Sequence, residues 1–239
     1  MIWLPSWNQI LVEKGCNSSA LLGVPSQYNP DETHNYEIGI KGAAPEHALS
    51  FDASLYYIDW KNIQHSLVQD GLAYNGNGGA AKSEGVELSV ESRPLTGLVI
   101  SAWVTWDDAV LIQEFPSTST VYGVPGDRLP NSTRFSGYLS LRQDFRVTGR
   151  LTGFAGAAVS YVGDRVGTFK ATSERQIFPA YTQANLRAGL MYDSWTADLF
   201  VTNLADSRDV LAGGLDTVPT NSFIYTQPRT VGLAISRTY

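Results

Sequence analysis

Alternation of apolar and polar residues is the feature that most limits what this chain can fold into. A period of two puts successive side chains on opposite faces of an extended strand and cannot build one face of a helix. The closing stretch, 230–239, reads TVGLAISRTY: Val231, Leu233 and Ile235 share a face with the terminal aromatic Tyr239, and Thr230, Gly232, Ala234, Ser236 and Thr238 form a small, hydroxylated face opposite. One side can meet an apolar medium, the other a polar or tightly packed one. The same device recurs upstream. Tyr36, Ile38 and Ile40 alternate with Glu37, Gly39 and Lys41, and Leu49, Phe51, Ala53, Leu55 and Tyr57 with Ser50, Asp52, Ser54 and Tyr56. Val86, Leu88 and Val90 oppose Glu87, Ser89 and Glu91; Ile100, Ala102, Val104 and Trp106 follow, with Val99 and Trp103 breaking the polarity of the other face. Two further hairpins set Phe135, Leu139, Leu141, Leu151, Ala155, Ala157, Val159 and Tyr161, then Ala184, Leu186, Ala188, Leu190, Tyr192, Trp195, Ala197, Leu199 and Val201, against polar partners. With the closing strand this predicts about nine strands, each near the ~10 residues that a tilted membrane strand needs. The stretch 1–34, punctuated by Pro5, Gly15, Gly23, Pro25 and Pro30, reads as mostly irregular or loop, and 35–239 as a meander of β-hairpins.

Alternation alone also suits a soluble β-sandwich binding module, with its apolar faces turned onto a shared core. The connections separate the two. Short turns at 43–46, 93–97, 146–149 and 193–194 alternate with long segments at 66–81, 107–133, 163–180 and 205–223. Up-and-down outer-membrane barrels sort their connections this way, into short periplasmic turns and long extracellular loops. Strand parity puts Tyr239 on the short-turn side, and Tyr192 and Trp195 flank a short turn on the apolar face, where an interfacial aromatic girdle belongs. The expected fold is all-β, an antiparallel up-and-down transmembrane β-barrel segment. An odd count of antiparallel strands cannot close, since first and last would run parallel, which argues for a truncated chain.

Composition narrows the function classes. Of 239 residues, 43% are hydrophobic and 17% charged, and no run of about 18 apolar residues could form a transmembrane helix, which leaves a barrel open. The net charge of -6, without a basic stripe, argues against a nucleic-acid partner. The single cysteine, Cys16, cannot form an internal disulfide, and MIWLPSWNQI lacks the layout of a signal peptide. No catalytic constellation is visible and no cofactor is implied. His34, His47 and His65 lack metal-ligand spacing, NGNGGA reads as a loop tip, and Asp107, Asp108 and Glu114 as a solvated loop. Asn17 and Asn131 open glycosylation patterns that have no meaning in a bacterial protein. Glu37, Lys41, Asp52, Glu87, Glu91, Arg142, Arg187 and Asp198 all fall on polar faces, where in a barrel they line the lumen.

The segment YNPDETHNYEIGIKG resembles the NPxLKPETSxNYELGLKG stretch of TonB-dependent outer-membrane receptors. LYYIDWKNIQ, AKSEGVELSVESRPLTGL, DRLPNSTRFSGYLSL, FVTNLADSRDV and PRTVGLAISRTY resemble the later landmarks in the same order, and WLPSWNQIL the PSxxEL segment before them. Departures fall at Asp31, at Arg237 and at Tyr239, where Phe is usual. The resemblance implies a barrel of about 22 strands, plugged by an N-terminal domain, in the outer membrane of a Gram-negative bacterium. Such receptors take up ferric siderophores, haem, cobalamin or glycans with energy from TonB, and are not enzymes. Residues 1–239 would be the C-terminal portion of that barrel, facing outer-membrane lipid, with the plug absent and TonB reached only through that missing domain. A passive porin-like segment is the alternative within the barrel class. Ligand contacts would come from the long loops, where Tyr122, Arg128, Arg165 and Arg175 are the candidates, because aromatic faces and guanidinium groups suit a large anionic or aromatic chelate, such as an iron–siderophore complex.

Overall fold

Ten strands make one antiparallel sheet in which each pairs with the next long strand along the chain. They are β1 (Ile2–Leu11), β2 (Glu32–Ala43), β3 (Leu49–Lys61), β4 (Ala80–Leu95), β5 (Leu98–Gln113), β6 (Phe135–Thr148), β7 (Leu151–Val162), β8 (Tyr181–Tyr192), β9 (Trp195–Thr202) and β10 (Thr230–Arg237). This computed structural model describes residues 2–11, 13–17, 24–44, 49–169, 176–214 and 222–238. Tyr239 and His47 lie outside them.

The strand count differs from the sequence expectation by one. The added strand is β1, paired with β2 from Ile2↔Lys41 to Leu11↔Glu32. Its sequence, IWLPSWNQIL, has no clean period of two and holds Pro5, which signals against a central strand. Among the described residues β1 pairs on one side only, with β2, the position in which a strand can hold a proline. With ten strands the argument from an odd count falls away. β4 and β5 are also longer than their alternation suggested, 16 residues each, so that 107–113 is strand and not connection.

The register carries the alternation across the sheet. On one face Ile38, Leu55, Val86, Trp106 and Phe135 form a continuous row over five strands, and Ala157, Leu186, Val201 and Val231 another over four. On the other face the row Lys41, Asp52, Ser89, Trp103, Tyr138, Ser160 is polar or aromatic. The short turns close on residues that accept a left-handed backbone, Gly97 (φ 78°) between β4 and β5 and Asp193 (φ 49°) between β8 and β9. Thr238 donates its N–H to the Ser194 carbonyl at 2.9 Å, so β10 ends at the short-turn side, as the parity argument requires.

The buried core is not under the sheet. Val231, Leu233 and Ile235 are 65%, 66% and 66% exposed, and Leu55 and Leu199 on the same face also stand free of protein cover. A sandwich would bury this face against a second sheet. Left in water, each such side chain would forgo about 1.5–3 kcal/mol. The buried hydrophobic cluster lies instead at the long-loop end, where Ile63, Ala81, Leu111 and Phe169 pack with Trp60, Phe115 and Leu129.

Candidate functional site

The long segments form a folded layer on that cluster. Residues after β5 turn back along it: Leu111 N–H donates to the Asp127 carbonyl at 2.8 Å and Leu129 N–H to the Ala109 carbonyl at 2.9 Å. This return places Arg128 beside Val110 as an extra bridge on β5. The next long segment is tied to the first, Asn131 N–H donating to the Val166 carbonyl at 2.7 Å and Gly163 N–H to the Phe135 carbonyl at 2.9 Å. Arg128, largely buried, completes the join with an ion pair to Asp164 at 2.6 Å. Its hydrogen bond holds the Asp164 carboxyl below the usual carboxylate range.

Arg165 reaches the other way. Its Nη1 and Nη2 donate to the carbonyls of Leu211 (3.1 Å) and Val210 (2.9 Å), and its guanidinium lies 5.6 Å from the Phe178 ring centroid and 5.7 Å from that of Tyr181. Arg165 therefore staples the segment after β7 to the two-stranded ribbon Val210–Gly214 and Ser222–Tyr225. Tyr122 is 59% exposed, the most open of the candidates among the described residues. Arg175 lies outside the described residues. Arg128 and Arg165 are thus linked through the Asp164–Arg165 step but turn to different partners, with Tyr122 elsewhere on the layer, and both guanidiniums already hold groups that a ligand anion would have to replace.

Two other joins fix the layer. Asn17 exchanges hydrogen bonds with the Asn75 backbone, its Nδ2 donating at 2.9 Å and its Oδ1 accepting at 2.8 Å, and Asn77 Nδ2 donates to the Asn29 carbonyl at 2.8 Å. Past β9, Asn203 is 3% exposed with φ 49°; its Nδ2 donates to the carbonyls of Ser207 and Gln227, both at 2.8 Å, and its Oδ1 accepts from Ser207 N–H at 3.1 Å. The Asp107–Asp108 pair is likewise built in, a correction to its reading as a solvated loop. Asp107 accepts from Ser83 Oγ at 2.5 Å and Tyr56 OH at 3.0 Å, and Asp108 pairs with Arg134 at 3.2 Å. Among the described residues no group of three or more His, Cys, Asp or Glu is placed to hold a metal.

The polar face of the sheet offers the second surface. Of the charged residues expected there, four pair across strands, Lys41 with Asp52 at 2.8 Å and Arg187 with Asp198, while Glu91 and Arg142 pair along their own strands, with Arg93 at 3.1 Å and Asp144 at 2.9 Å. Between them sits a feature the alternation did not reveal. Phe154, a large ring on the polar face, is 2% exposed because two guanidiniums cover it, Arg142 at 4.2 Å and Arg187 at 5.5 Å from its centroid. Gly189 leaves room for it, since a Cβ there would stand 2.5 Å from the ring and 2.2 Å from the Ala197 carbonyl oxygen. A recess of about 480 Å³ opens beside this cluster, lined by Tyr138, Arg142, Asn185, Arg187, Asp198 and Phe200. In the sequence only the glycines at 156 and 189, both on the face that otherwise carries polar groups, signalled the space.

Comparison with known proteins agrees with this architecture. The family described as TonB dependent receptor-like, beta-barrel, matches residues 11–204. The metal-pseudopaline receptor CntO of Pseudomonas aeruginosa is 29% identical over 185 residues, 76% of this chain and 24% of the receptor, so the chain spans about a quarter of that relative's length. Among solved structures, the ferric yersiniabactin uptake receptor FyuA from Yersinia pestis superposes with a TM-score of 0.74 at 21% identity, covering 96% of this chain and 33% of that one. BauA, the ferric preacinetobactin receptor from Acinetobacter baumannii, gives 0.72 at 16% identity, again 96% of this chain and 33% of the other. With exposed apolar rows on one face, ion pairs on the other and folded long loops at one end, the chain belongs to the TonB-dependent receptor family, as part of its β-barrel.

Proposed function

We propose that this chain forms a sector of the wall of an outer-membrane, ligand-gated transporter that takes up a scarce metal chelate of the ferric-siderophore class, energised by TonB through a plug domain carried elsewhere in the receptor. The observation that carries the reading is the exposed apolar face, which is stable only against lipid, on a chain of this family. The charged polar face then lines the lumen, and β1 and β10, each paired on one side only among the described residues, meet the remaining strands of the barrel. The relatives named as receptors for metal-pseudopaline, ferric yersiniabactin and ferric preacinetobactin support the ligand class. Tyr122, Arg128, Arg165 and Arg175 are the proposed ligand contacts from the long loops, with the cationic pair drawing an anionic chelate.

The test is uptake of a radiolabelled ferric chelate by cells carrying the intact receptor, with and without TonB. Loss of uptake without TonB is the expected result. TonB-independent uptake that rises linearly with concentration indicates a passive pore and overturns the reading. If replacing Tyr122, Arg128, Arg165 and Arg175 together leaves uptake unchanged, those four are not the contacts.

A further inference from the structure

The hairpin made of Gln64–Gln69 and Leu72–Asn77 does not stand alone at the long-loop end. Val68 N–H donates to the Thr118 carbonyl at 2.7 Å, and Thr120 N–H to the Ser66 carbonyl at 3.2 Å, so residues 118–120 add to the hairpin as a third extended segment. Leu67 is 6% exposed and bridges Ser119 at the centre of this join. Beside it lies His65. The ring packs on Phe115 at 4.6 Å between centroids, and its Nδ1 is 2.9 Å from Ser119 Oγ. Its Nε2 is buried with no hydrogen-bond partner and sits under Gly78, where a Cβ would stand 3.4 Å from Nε2 and 2.4 Å from Pro116.

These contacts suit a neutral ring and not a charged one. Ser119 Oγ accepts from Val121 N–H at 3.0 Å and has a second lone pair for His65 Nδ1–H, the tautomer that keeps the neutral ring's hydrogen off the partnerless Nε2. Protonation adds a hydrogen at Nε2 and leaves a charged N–H facing Gly78 with no acceptor. The titratable residues on the elements that pack against the ring are Asp70 and Tyr74 on the hairpin and Glu114 and Tyr122 on the segment that follows β5. None of them contributes to the ring's electrostatic balance, in which burial lowers its proton affinity and only the Ser66 backbone offsets it.

We propose that residues 64–77 and 116–122 form one cap at the long-loop end, closed while His65 is neutral and released when the ring is protonated in acid. Closure is complete above about pH 6.5, the ordinary histidine value, and is lost as the pH falls below it, because the open cap binds the proton that the closed one resists. The latch stands on the hairpin's own contacts and does not depend on the transport reading. Tyr122, 59% exposed, is the last residue of the latched segment, before Gly123 packs on Phe169, so release moves an exposed ring of the loop layer.

Hydrogen exchange on the membrane-embedded receptor, corrected for the intrinsic effect of pH, tests the proposal. The Val68 and Thr120 amides report the cap, and the Leu111 amide, bonded to Asp127 outside it, is the control. From pH 7.5 to 5.0, protection of the two cap amides is expected to fall about tenfold, within the limit of tenfold per pH unit that one proton allows. Leu111 should hold. His65→Phe, which keeps the ring packing, and His65→Gln, which keeps an N–H donor for Ser119, should each make cap protection independent of pH. Flat protection in the wild type, an equal fall at Leu111, or a fall in either variant matching the wild type overturns the latch.

Discussion

The lipid-facing assignment can be tested through depth. Along β8, Thr182 is level with Tyr161 of β7, and Tyr192 is level with Trp195 of β9, so two aromatic levels bound the apolar face. The ten residue steps between them cover about 33 Å of strand, which at a tilt near 45° spans about 24 Å, close to the ~25 Å apolar band of an outer-membrane barrel. Leu186, 42% exposed, sits near the middle of this span; Leu190, 47% exposed, sits one outward position from Tyr192. Their exposure to solvent is alike, and so is their chemistry. In water an arginine at either site would change stability by less than about 0.5 kcal/mol. In a bilayer Leu186→Arg should cost about 2–4 kcal/mol, and Leu190→Arg only about 0–1, because the penalty falls toward the interface. The larger figure is about 30- to 900-fold in the folding equilibrium. Urea titration of the receptor in phosphatidylcholine vesicles, followed by tryptophan fluorescence, reads the difference. Equal costs at the two sites, or no cost at Leu186, would refute a lipid-facing sheet.

Three further outcomes follow from the polar face and the loop layer. Phe154→Ala removes a nearly fully buried ring and the surface on which Arg142 and Arg187 rest, and should cost about 3–5 kcal/mol in the same titration. Asn203→Ala strips three hydrogen bonds from a buried, left-handed position and should cost about 2–4 kcal/mol, with faster proteolysis around 205–229 as the readout. The Arg128–Asp164 pair, whose carboxyl is 59% exposed, should contribute no more than about 1 kcal/mol. Because Asp164 is depressed in the folded loops, that contribution is present above about pH 3.9 and lost as the pH drops through the lower folded value. Arg128→Ala should accordingly speed protease cutting near 164 up to about fivefold at neutral pH, and the matching difference in hydrogen exchange there should shrink as the pH falls below about 3.9.

Much of the sheet was legible because alternation is a property of single strands. Ile38, Leu55, Val86 and Trp106 each announce their face locally, and the register then only has to align them. β1 was hidden for the opposite reason, since Pro5 and the run of Trp3 and Leu4 erase the period that an edge strand does not need. The loop layer was harder still. Arg128 and Arg165 stand out in the sequence as guanidiniums suited to an anionic chelate, but the ties of Arg128 to Asp164 and of Arg165 to Val210 and Leu211 span 36, 45 and 46 residues, and nothing local encodes such a partner. Asn17 was legible only as a glycosylation pattern, although its bonds to Asn75 are 58 residues long in sequence. Phe154 had a weak signal, in glycines that clear space on a polar face, which could have pointed to a ring between them.

The split between an exposed apolar sheet face and a buried cluster at one end means that two media hold this fold. The sheet's ladder is satisfied from within between β1 and β10 and its apolar face is stabilised by lipid, whereas Ile63, Ala81, Leu111 and Phe169 are buried by protein alone. The two regions should therefore fail separately. Leu111→Ala empties a site with 0% exposure and should cost about 2–5 kcal/mol, but that loss falls on the loop layer, where the Leu129 and Gly126 amides bond to β5. Exchange at those two amides should quicken by about 30-fold or more, while the amides of β8 and β9 keep their protection and the vesicle titration midpoint barely moves. Leu186→Arg should do the reverse, shifting the midpoint and leaving the loop amides protected. If Leu111→Ala instead shifted the midpoint as far as Leu186→Arg, the loops and the sheet would be one cooperative unit, and the exposed apolar face would owe its stability to the cluster and not to lipid.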